Sequence, residues 1–199
     1  MGRVNAYPQQ GYWSKMLNID ADICRLRAME PSDIEAMYLW ENDPEVWRVG
    51  GTTSPVSLER LARFVAEQDY DIYATRQLRL VVEAEGVAVG SVDILDFDPQ
   101  HLRFGIGILI YSAEHRRMGY ARATIEAIKR YARETLCLKQ IWASVAADNE
   151  ASIALFEGCG FELCGRRKAW LRRAEGYIDQ LEYQCLLIAA NNLVNFFAR

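Results

Sequence analysis

The sequence is poor in the residues from which metal sites and disulfide scaffolds are built. Among 199 residues it has only two histidines, His101 and His115, and its five cysteines include no CxxC pair. Zinc sites and disulfide frameworks need several such residues at characteristic spacings. We therefore expect no metal cofactor and an odd set of reduced, buried thiols, as in a cytoplasmic protein. The cysteines are Cys24, Cys137, Cys159, Cys164 and Cys185.

Long apolar runs and an excess of positive charge are also absent. The longest apolar stretches, such as 106–111, are much shorter than the roughly 20 residues that span a bilayer, and residues 1–20 lack the apolar centre of a signal peptide. Lys and Arg number 23 against 27 Asp and Glu, which gives a formal net charge of -4. Proteins that bind nucleic acid without sequence preference are usually basic. The sequence therefore favours neither a membrane nor a nucleic-acid partner.

The composition is otherwise that of a globular protein. Hydrophobic residues make up 51% of the chain and charged residues 25%, and a chain of this length typically folds as one domain. Residues 1–22 show no hydrophobic periodicity and are interpreted as an N-terminal leader or arm. We expect one domain over 23–187 and a C-terminal tail over 188–199. The segment 186–197 is apolar enough to be a docking helix or a dimer contact, so a homo-oligomer is compatible with the sequence.

Hydrophobic periodicity predicts a mixed α/β order without internal repeats. Strands are predicted at 23–29, 78–84, 87–96, 102–111 and 141–146, with a terminal hairpin formed by 161–164 and 177–187. Helices are predicted from a capping box at Ser32 and Glu35, from Ser57, and over 117–136 and 149–158. The strands on either side of the long helix at 117–136 can pair in parallel through a crossover.

The most informative stretch leads from a predicted strand through a polar turn into the long helix. Gly119 and Ala121 are small residues at the start of this helix, and Arg116 and Arg117 precede them in an RxxGxA pattern. Free N–H groups of a first helical turn, the helix dipole and nearby small residues together favour a bound phosphate. By itself the pattern is short, and an ordinary helix start with a solvated basic pair explains it equally well.

Two glycines lie inside the strand that precedes this turn. Gly105 and Gly107 indicate a bulge or the close approach of another backbone, and a bulge there would splay this strand from its neighbour. A splayed strand leaves backbone N–H and C=O groups available to a ligand that carries amides. After the next strand, a second motif runs from Asn149 through Ser152 to the sequence Gly160-Phe161.

In this order and spacing, the two motifs resemble the GNAT superfamily of acyl-CoA-dependent N-acyltransferases, over about 23–187. Three further parts of the sequence look like the branch of ribosomal-protein N-terminal acetyltransferases and spermidine acetyltransferases. They are Leu26-Arg27 with Asp33, the run 40–46, and 176–179 with Tyr183. The resemblance implies a GNAT fold of α/β (α+β) class. Its central sheet is mixed and mostly antiparallel, with splayed central strands and helices on both faces.

The resemblance also implies acetyl-CoA as co-substrate, without a metal. Backbone groups of Ile108 and Ile110 would pair with the pantetheine arm, N–H groups of 117–122 would hold the pyrophosphate, and Asn149 would contact the cofactor. The implied cofactor-binding residues are Ile108, Leu109, Ile110, Arg116, Arg117, Met118, Gly119, Tyr120, Ala121, Arg122, Asn149, Ser152 and Phe156. The implied reaction is direct attack of a primary amine on the thioester. The amine is a protein N-terminus, a polyamine or another small amine.

The catalytic residues depart from the family pattern. Phe156 stands where many members place a tyrosine that protonates the departing thiolate, and 102–111 contains no acidic residue. Ser152 is one candidate for the proton donor, although a serine in a first helical turn is more often a cap or a cofactor contact. Asp93 is a candidate proton acceptor if its side chain faces the cleft. These departures leave a non-catalytic acyl-CoA-binding or sensor module as the alternative function.

Three residues near the start of the chain are candidates for the acceptor pocket. Trp40 offers a flat aromatic surface to a cation, and Glu41 and Asp43 offer carboxylates. The other interpretation is that Trp40 belongs to the core and that the two acidic residues end a helix.

Overall fold

The computed structural model describes residues 19–50, 54–68, 71–111 and 113–187, without side chains at 48–50. Our interpretations of 1–18 and 188–199 lie outside these residues. The strands are β1 (Ile19–Asp20), β2 (Arg25–Arg27), β3 (Leu78–Ala84), β4 (Val87–Asp98), β5 (Arg103–Ile110), β6 (Gln140–Ala146), β7 (Glu162–Arg173) and β8 (Gly176–Leu186). The α-helices are α1 (Ile34–Glu41), α2 (Pro44–Gly50), α3 (Leu58–Ala66), α4 (Ile72–Thr75), α5 (Tyr120–Glu134) and α6 (Glu150–Gly158). Short 3-10 turns occur at Pro31–Asp33 and Ala113–His115.

The described strands form one sheet in the order β1-β2-β3-β4-β5-β6-β8-β7. All neighbours are antiparallel except β5 and β6, which are parallel and joined through α5, as the crossover predicts. The predicted α/β fold, with its mixed and mostly antiparallel sheet, is confirmed.

Helices cover both faces of the sheet. Along β3, Leu80 and Val82 belong to the core beneath α5 and α6, whereas Val81 belongs to a smaller core with α1 and α3. Successive side chains of a strand point to opposite faces, so one buried strand serves both cores. The larger core takes Ile125 and Ile128 from α5, both fully buried.

The start of α1 differs from the predicted capping box. The observed capping box is formed by Glu30 and Asp33 and not by Ser32 and Glu35. The Asp33 carboxylate accepts from the backbone N–H of Glu30 at 2.8 Å. The same carboxylate receives two N–H groups of Arg27 at 2.7 and 2.8 Å. Burial alone would raise the pKa of Asp33, but these donors hold it below its ordinary value. The ion pair of Arg27 and Asp33 therefore connects β2 to the start of α1. Both residues are part of the pattern that supports the family resemblance.

Several element boundaries differ from the predicted ones. β7 continues to Arg173, because its pairing with β8 extends an exposed edge strand that carries little hydrophobic signal. Ile19–Asp20, placed in the N-terminal arm, pair with β2. The short helices α2 and α4 were not predicted.

The cysteines are only partly as expected. All five are free, and Cys24, Cys159 and Cys185 are buried, but Cys137 and Cys164 are exposed. Cys137 follows the C-terminus of α5, and Cys164 lies on the edge strand β7. These two side chains were predicted to be buried because apolar residues surround them in the sequence, but both positions are at the surface. None of the described helices is long and apolar enough to cross a membrane.

Candidate active site

A cleft opens between β5 and β6. The two strands pair only at Arg103–Gln140, Phe104–Ile141 and Gly105–Trp142, and beyond Gly105 they diverge. The cavity between them has a volume of about 600 Å³. It is lined by Glu41, Val46, Arg79, Ser91, Asp93, Ile106, Gly107, Ile108, Leu109, Ser144, Val145, Ala146, Asp148, Asn149, Glu150, Ala151, Ser152, Phe156 and Arg173. The splayed strands expected from the sequence are present.

The two strand glycines have different roles, and neither forms the bulge expected there. A Cβ on Gly105 would lie 2.5 Å from the indole of Trp142, so this glycine makes room for that side chain where the strands still pair. A Cβ on Gly107 would meet nothing closer than Asp93 at 3.9 Å, and Gly107 lines the cleft. The irregularity between β4 and β5 begins next to Gly105, because Leu95 pairs with Gly105 and Asp98 with Arg103, which leaves the extra residue on β4.

The free edge of β5 presents backbone groups to the cleft. Tyr111 donates its N–H to Val89 on β4, so by the alternation of an antiparallel ladder Leu109 also bonds towards β4. Ile108 and Ile110 then direct their N–H and C=O groups to the side from which β6 has diverged. The backbone role that the resemblance implies for Ile108 and Ile110 stays a prediction, and the Ile110 carbonyl already accepts from Arg116.

The cleft passes through the sheet. Ile106 and Phe156 belong to the core on the α5 and α6 side, whereas Asp93 lies beside Val92, whose side chain is in that core, and therefore points to the opposite face. A ligand arm that enters between the strands can thus meet a second molecule that approaches from the α1 side.

The N-terminus of α5 has the conformation of an anion site. Gly119 precedes the helix with φ +88° and contributes no side chain to cap it. The N–H groups of the first turn, from Tyr120 to Arg122, therefore have no intrahelical acceptor. Met118 and Arg117 are exposed beside them. This turn does not line the 600 Å³ cavity but follows β5 through the 3-10 turn, at the far end of the splayed edge.

The arginines of this motif are placed differently from one another. Arg116 folds back and donates to the carbonyls of Ile110 and Tyr111 at 3.2 and 2.8 Å. The Arg122 guanidinium donates to the carbonyl of Gly158 at 2.8 Å. Arg116 therefore fixes the exit of β5, and Arg122 joins α5 to the C-terminus of α6.

The helix α6 presents its N-terminus to the cleft. The Asn149 side chain accepts from the N–H of Ser152 at 3.1 Å and caps the helix. At the other end, Phe161 and Gly160 donate to Phe156 and Glu157 with Gly160 at φ +79°, which is a Schellman motif. Asn149 and Ser152 line the cleft, as does Phe156, which is 4% exposed and packs its ring against Phe161.

Two carboxylates and an arginine meet on the α1 side of the cleft. Arg79 on β3 donates to both oxygens of Asp93, at 2.6 and 3.1 Å, and to Glu41 at 2.8 Å. Burial alone would lower the pKa of Arg79, but the two carboxylates raise it above its ordinary value. Asp93 and Glu41 therefore both face the cleft, bridged by a charged guanidinium.

The other two residues assigned to the acceptor pocket lie elsewhere. Trp40 is 6% exposed and belongs to the smaller core, where its ring lies 5.5 Å from that of Tyr111. Asp43 accepts from the N–H of Glu45 at 2.8 Å, at the start of α2, and from the Tyr111 hydroxyl at 3.3 Å. Burial, followed by the charge of Asp43, raises the pKa of Tyr111. Neither residue lines the 600 Å³ cavity, although Trp40 borders a small adjoining pocket together with Glu41, Arg79 and Ser91. Their part in the acceptor pocket stays a prediction.

Sequence reasoning missed two arginines that line the cleft, Arg79 and Arg173. Arg173 at the end of β7 reaches the loop before α6 and donates to both oxygens of Asp148, at 3.0 and 3.2 Å. Arg172 and Arg173 form a basic pair in the sequence, which was the available signal, but nothing in the local sequence indicates the partner of Arg173. Among the described residues, no group of three or more His, Cys, Asp or Glu side chains is placed to hold a metal ion.

Comparison with known proteins identifies the family. The model described as Acetyltransferase (GNAT) domain matches residues 24–162. The chain belongs to the GNAT acetyltransferase family. It is 27% identical over 137 residues to a spermidine N(1)-acetyltransferase of Vibrio cholerae, which covers 68% of this chain and 77% of that protein. It is also 27% identical over 168 residues to an uncharacterized N-acetyltransferase of Bacillus subtilis, covering 83% and 88%.

Solved structures of GNAT proteins share the fold. The crystal structure of the Vibrio cholerae spermidine N-acetyltransferase in complex with CoA and spermine superposes with a TM-score of 0.73 at 24% identity, covering 83% of this chain and 96% of that one. A probable acetyltransferase superposes with a TM-score of 0.74 at 21% identity, covering 86% and 97%. A further structure of the Vibrio cholerae enzyme, with a TM-score of 0.67 at 23% identity and coverage of 83% and 94%, is dodecameric.

The family predicted from the sequence is therefore confirmed, and the chain is a GNAT acetyltransferase that uses acetyl-CoA as co-substrate. The cleft fits such a substrate, because β5 offers an unpaired backbone edge to amides and α5 offers an uncapped N-terminus to phosphates.

Proposed function

We propose that this GNAT acetyltransferase transfers an acetyl group from acetyl-CoA to a primary amine, which attacks the thioester directly within the cleft. The observation that carries the proposal is the passage through the sheet. It joins the free edge of β5 to the carboxylates of Glu41 and Asp93 on the other face. A cofactor arm on one side and an amine on the other are thereby brought into contact, and such positioning supplies much of the acceleration in group transfer.

The cofactor is assigned to the α5 and α6 side. Ile108 and the N–H of Ile110 face the pantetheine arm, whereas the Ile110 carbonyl accepts from Arg116. Leu109 also lines the cleft. The turn before α5 receives the pyrophosphate, with Arg117 nearby. Asn149, Ser152 and Phe156 form the opposite wall. The positions assigned to this role are Ile108, Leu109, Ile110, Arg116, Arg117, Met118, Gly119, Tyr120, Ala121, Arg122, Asn149, Ser152 and Phe156.

The charge of the cleft supports an amine acceptor. Its lining includes four carboxylates and two guanidinium groups, a formal excess of two negative charges. Such a lining attracts an ammonium and repels anionic substrates. The charged side chains are Glu41, Asp93, Asp148, Glu150, Arg79 and Arg173. Relatives named as spermidine acetyltransferases act on amines and support the same class, whether polyamine, other small amine or protein N-terminus.

Compartment and assembly follow as further parts of the proposal. The cytoplasm supplies acetyl-CoA and keeps thiols such as the exposed Cys137 and Cys164 reduced, so we place the reaction there. A homo-oligomer stays a prediction, supported by the dodecameric structure of a relative.

The direct test is release of free CoA thiol from acetyl-CoA over a panel of small amines and peptides. We expect release above the hydrolysis background with at least one primary amine, and none with the matching alcohol. Saturable binding of acetyl-CoA without release by any amine would contradict the acceptor class and favour a cofactor sensor.

Ser152 is assigned as the group that protonates the departing thiolate. Its hydroxyl lies in the first turn of α6, where the helix dipole also stabilises negative charge, whereas Phe156 has no proton to donate. Both oxygens of Asp93 already accept from Arg79, which favours an electrostatic role for Asp93 over proton acceptance. The ammonium form of the acceptor therefore loses one proton to water in the open cleft and attacks as the free amine. The proton that its nitrogen loses as the C–S bond breaks replaces the one that Ser152 gives to the thiolate.

We expect Ser152→Ala to lower kcat by about 100-fold, the order of one general acid, and to leave the Kd of acetyl-CoA within about threefold. The cap of α6 survives because it uses the backbone N–H of residue 152. Ser144→Ala is the matched control, since the Ser144 hydroxyl also lies in the cleft but is bonded to Glu182 at 2.7 Å. Equal kcat values for the two variants would exclude Ser152 as the donor.

A further inference from the structure

The cluster of Glu41, Arg79 and Asp93 joins three separate elements at the cleft. Arg79 and Asp93 are register partners on β3 and β4, and Glu41 is the last residue of α1. The exposed fraction of the side chain is 28% for Arg79, 25% for Asp93 and 26% for Glu41. The Arg79 guanidinium also makes a cation–π contact, because its carbon lies 5.7 Å from the centre of the Phe64 ring.

The two carboxylates are bound unequally. Arg79 uses Nε and Nη2 on the two oxygens of Asp93, and Nη1 on Oε1 of Glu41. Among the residues whose side chains the structure describes, none donates a hydrogen bond to Oε2 of Glu41. The cluster has two carboxylates and one guanidinium, so its net charge is -1. A positively charged ligand can bind this charge at Oε2 of Glu41.

We propose that Arg79 is the positioning residue of the acceptor subsite. It holds Asp93 rigidly and aims Oε2 of Glu41 into the cleft as the anchor of a positively charged amine. This inference rests on the proposed function and adds to it the residue that organises amine recognition.

The chemistry of arginine explains why this position needs it. A planar guanidinium can donate to two carboxylates in fixed directions at once, whereas a lysine ammonium is a point charge on a flexible stem. Lysine at position 79 would keep the charge and three donors, but these lie on one nitrogen at the end of a flexible stem and would not hold both oxygens of Asp93 and Glu41 in fixed directions. The position of Glu41 would then depend on α1 alone.

The competing explanation is that these residues only tie α1 to the sheet, as half-buried ion pairs often do. Loss of Arg79 would then lower stability without changing amine recognition. Amine affinity and thermal stability therefore have to be measured on the same variants.

The experiment is calorimetric titration of n-butylamine, at neutral pH, into the full-length protein saturated with CoA. We expect saturable binding of the amine and none of n-butanol, which lacks the charge. Arg79→Lys and Glu41→Gln should each weaken amine binding by at least about tenfold and leave CoA affinity within about twofold, because the cofactor is assigned to other residues. Arg63→Lys is the control, since Arg63 pairs with the exposed Glu59 on α3 and does not line the cleft.

A double variant sharpens the test. If Arg79 acts through Glu41, the variant with both substitutions should bind the amine no more than about twofold more weakly than Glu41→Gln alone. Failure of the wild-type protein to bind n-butylamine, or a lowered melting temperature in Arg79→Lys with unchanged amine affinity, would overturn the inference. Failure of the proposed function is a separate result, because it shows as absent CoA release in the amine panel.

Discussion

Replacing Gly119 with glutamate is expected to weaken acetyl-CoA binding by about 100-fold or more, which corresponds to roughly 2.7 kcal/mol. Three effects act together. The glutamate places a negative charge where the uncapped N–H groups of α5 favour an anion, its side chain occupies the approach to the first turn, and φ +88° strains any residue with a Cβ. Isothermal titration of acetyl-CoA measures the loss.

Two matched variants separate these effects. Gly119→Gln has nearly the same shape without the charge, and Gly119→Ala adds only a Cβ, which would lie 3.3 Å from a methyl of Ile23. We expect affinity to fall in the order Ala, Gln, Glu. Wild-type affinity in Gly119→Glu would show that the pyrophosphate does not bind at this helix.

Gly90→Ala is expected to give the largest loss of stability. A Cβ at this position on β4 would overlap the carbonyl oxygen of Leu109, and that contact involves the backbone, so no side-chain rotation relieves it. Either the ladder between β4 and β5 opens or the strand shifts. Overpacking of this kind costs about 3 kcal/mol, which for a chain of this size lowers Tm by roughly 6–12 °C.

Gly107→Ala is the control on the neighbouring strand. Its Cβ would have no atom within 3.9 Å and its φ is not in the left-handed region, so we expect Tm to stay within about 2 °C of the wild type. Thermal unfolding followed by circular dichroism compares the two variants. Similar Tm values for both would contradict the close approach of β4 and β5 at Gly90.

Much of the fold could be predicted from the sequence. The strand over 78–84 was predicted with its observed bounds, and the helix with cap Ser57 and buried residues Leu61 and Val65 follows its periodicity. These signals are local, because alternation and three- or four-residue spacing report which side of one segment is buried. Edge strand β7 lacked such a signal, since most of its side chains are exposed.

The pairing of Arg79 with Asp93 could not be read from the sequence. The two-residue turn at Glu85 and Gly86 pairs Ala84 with Val87, and this register continued along the hairpin would place Arg79 opposite Val92. An irregularity between Val82 and Glu83 shifts the register by one residue and brings Asp93 opposite instead. The residues that line the α1 side of the cleft therefore depend on this shift in register.

By itself the sequence determined the local elements to which we assign the cofactor: the strand before the turn, the glycine at the start of α5, and the short helix that follows Asn149. Each of these features depends on residues only a few positions apart. Only the tertiary structure decided that Glu41 faces the cleft while Trp40 is buried, and that Arg79 and Arg173 line it. Those placements arise from contacts between residues 38 and 25 positions apart, which chain packing brings together and no local pattern encodes.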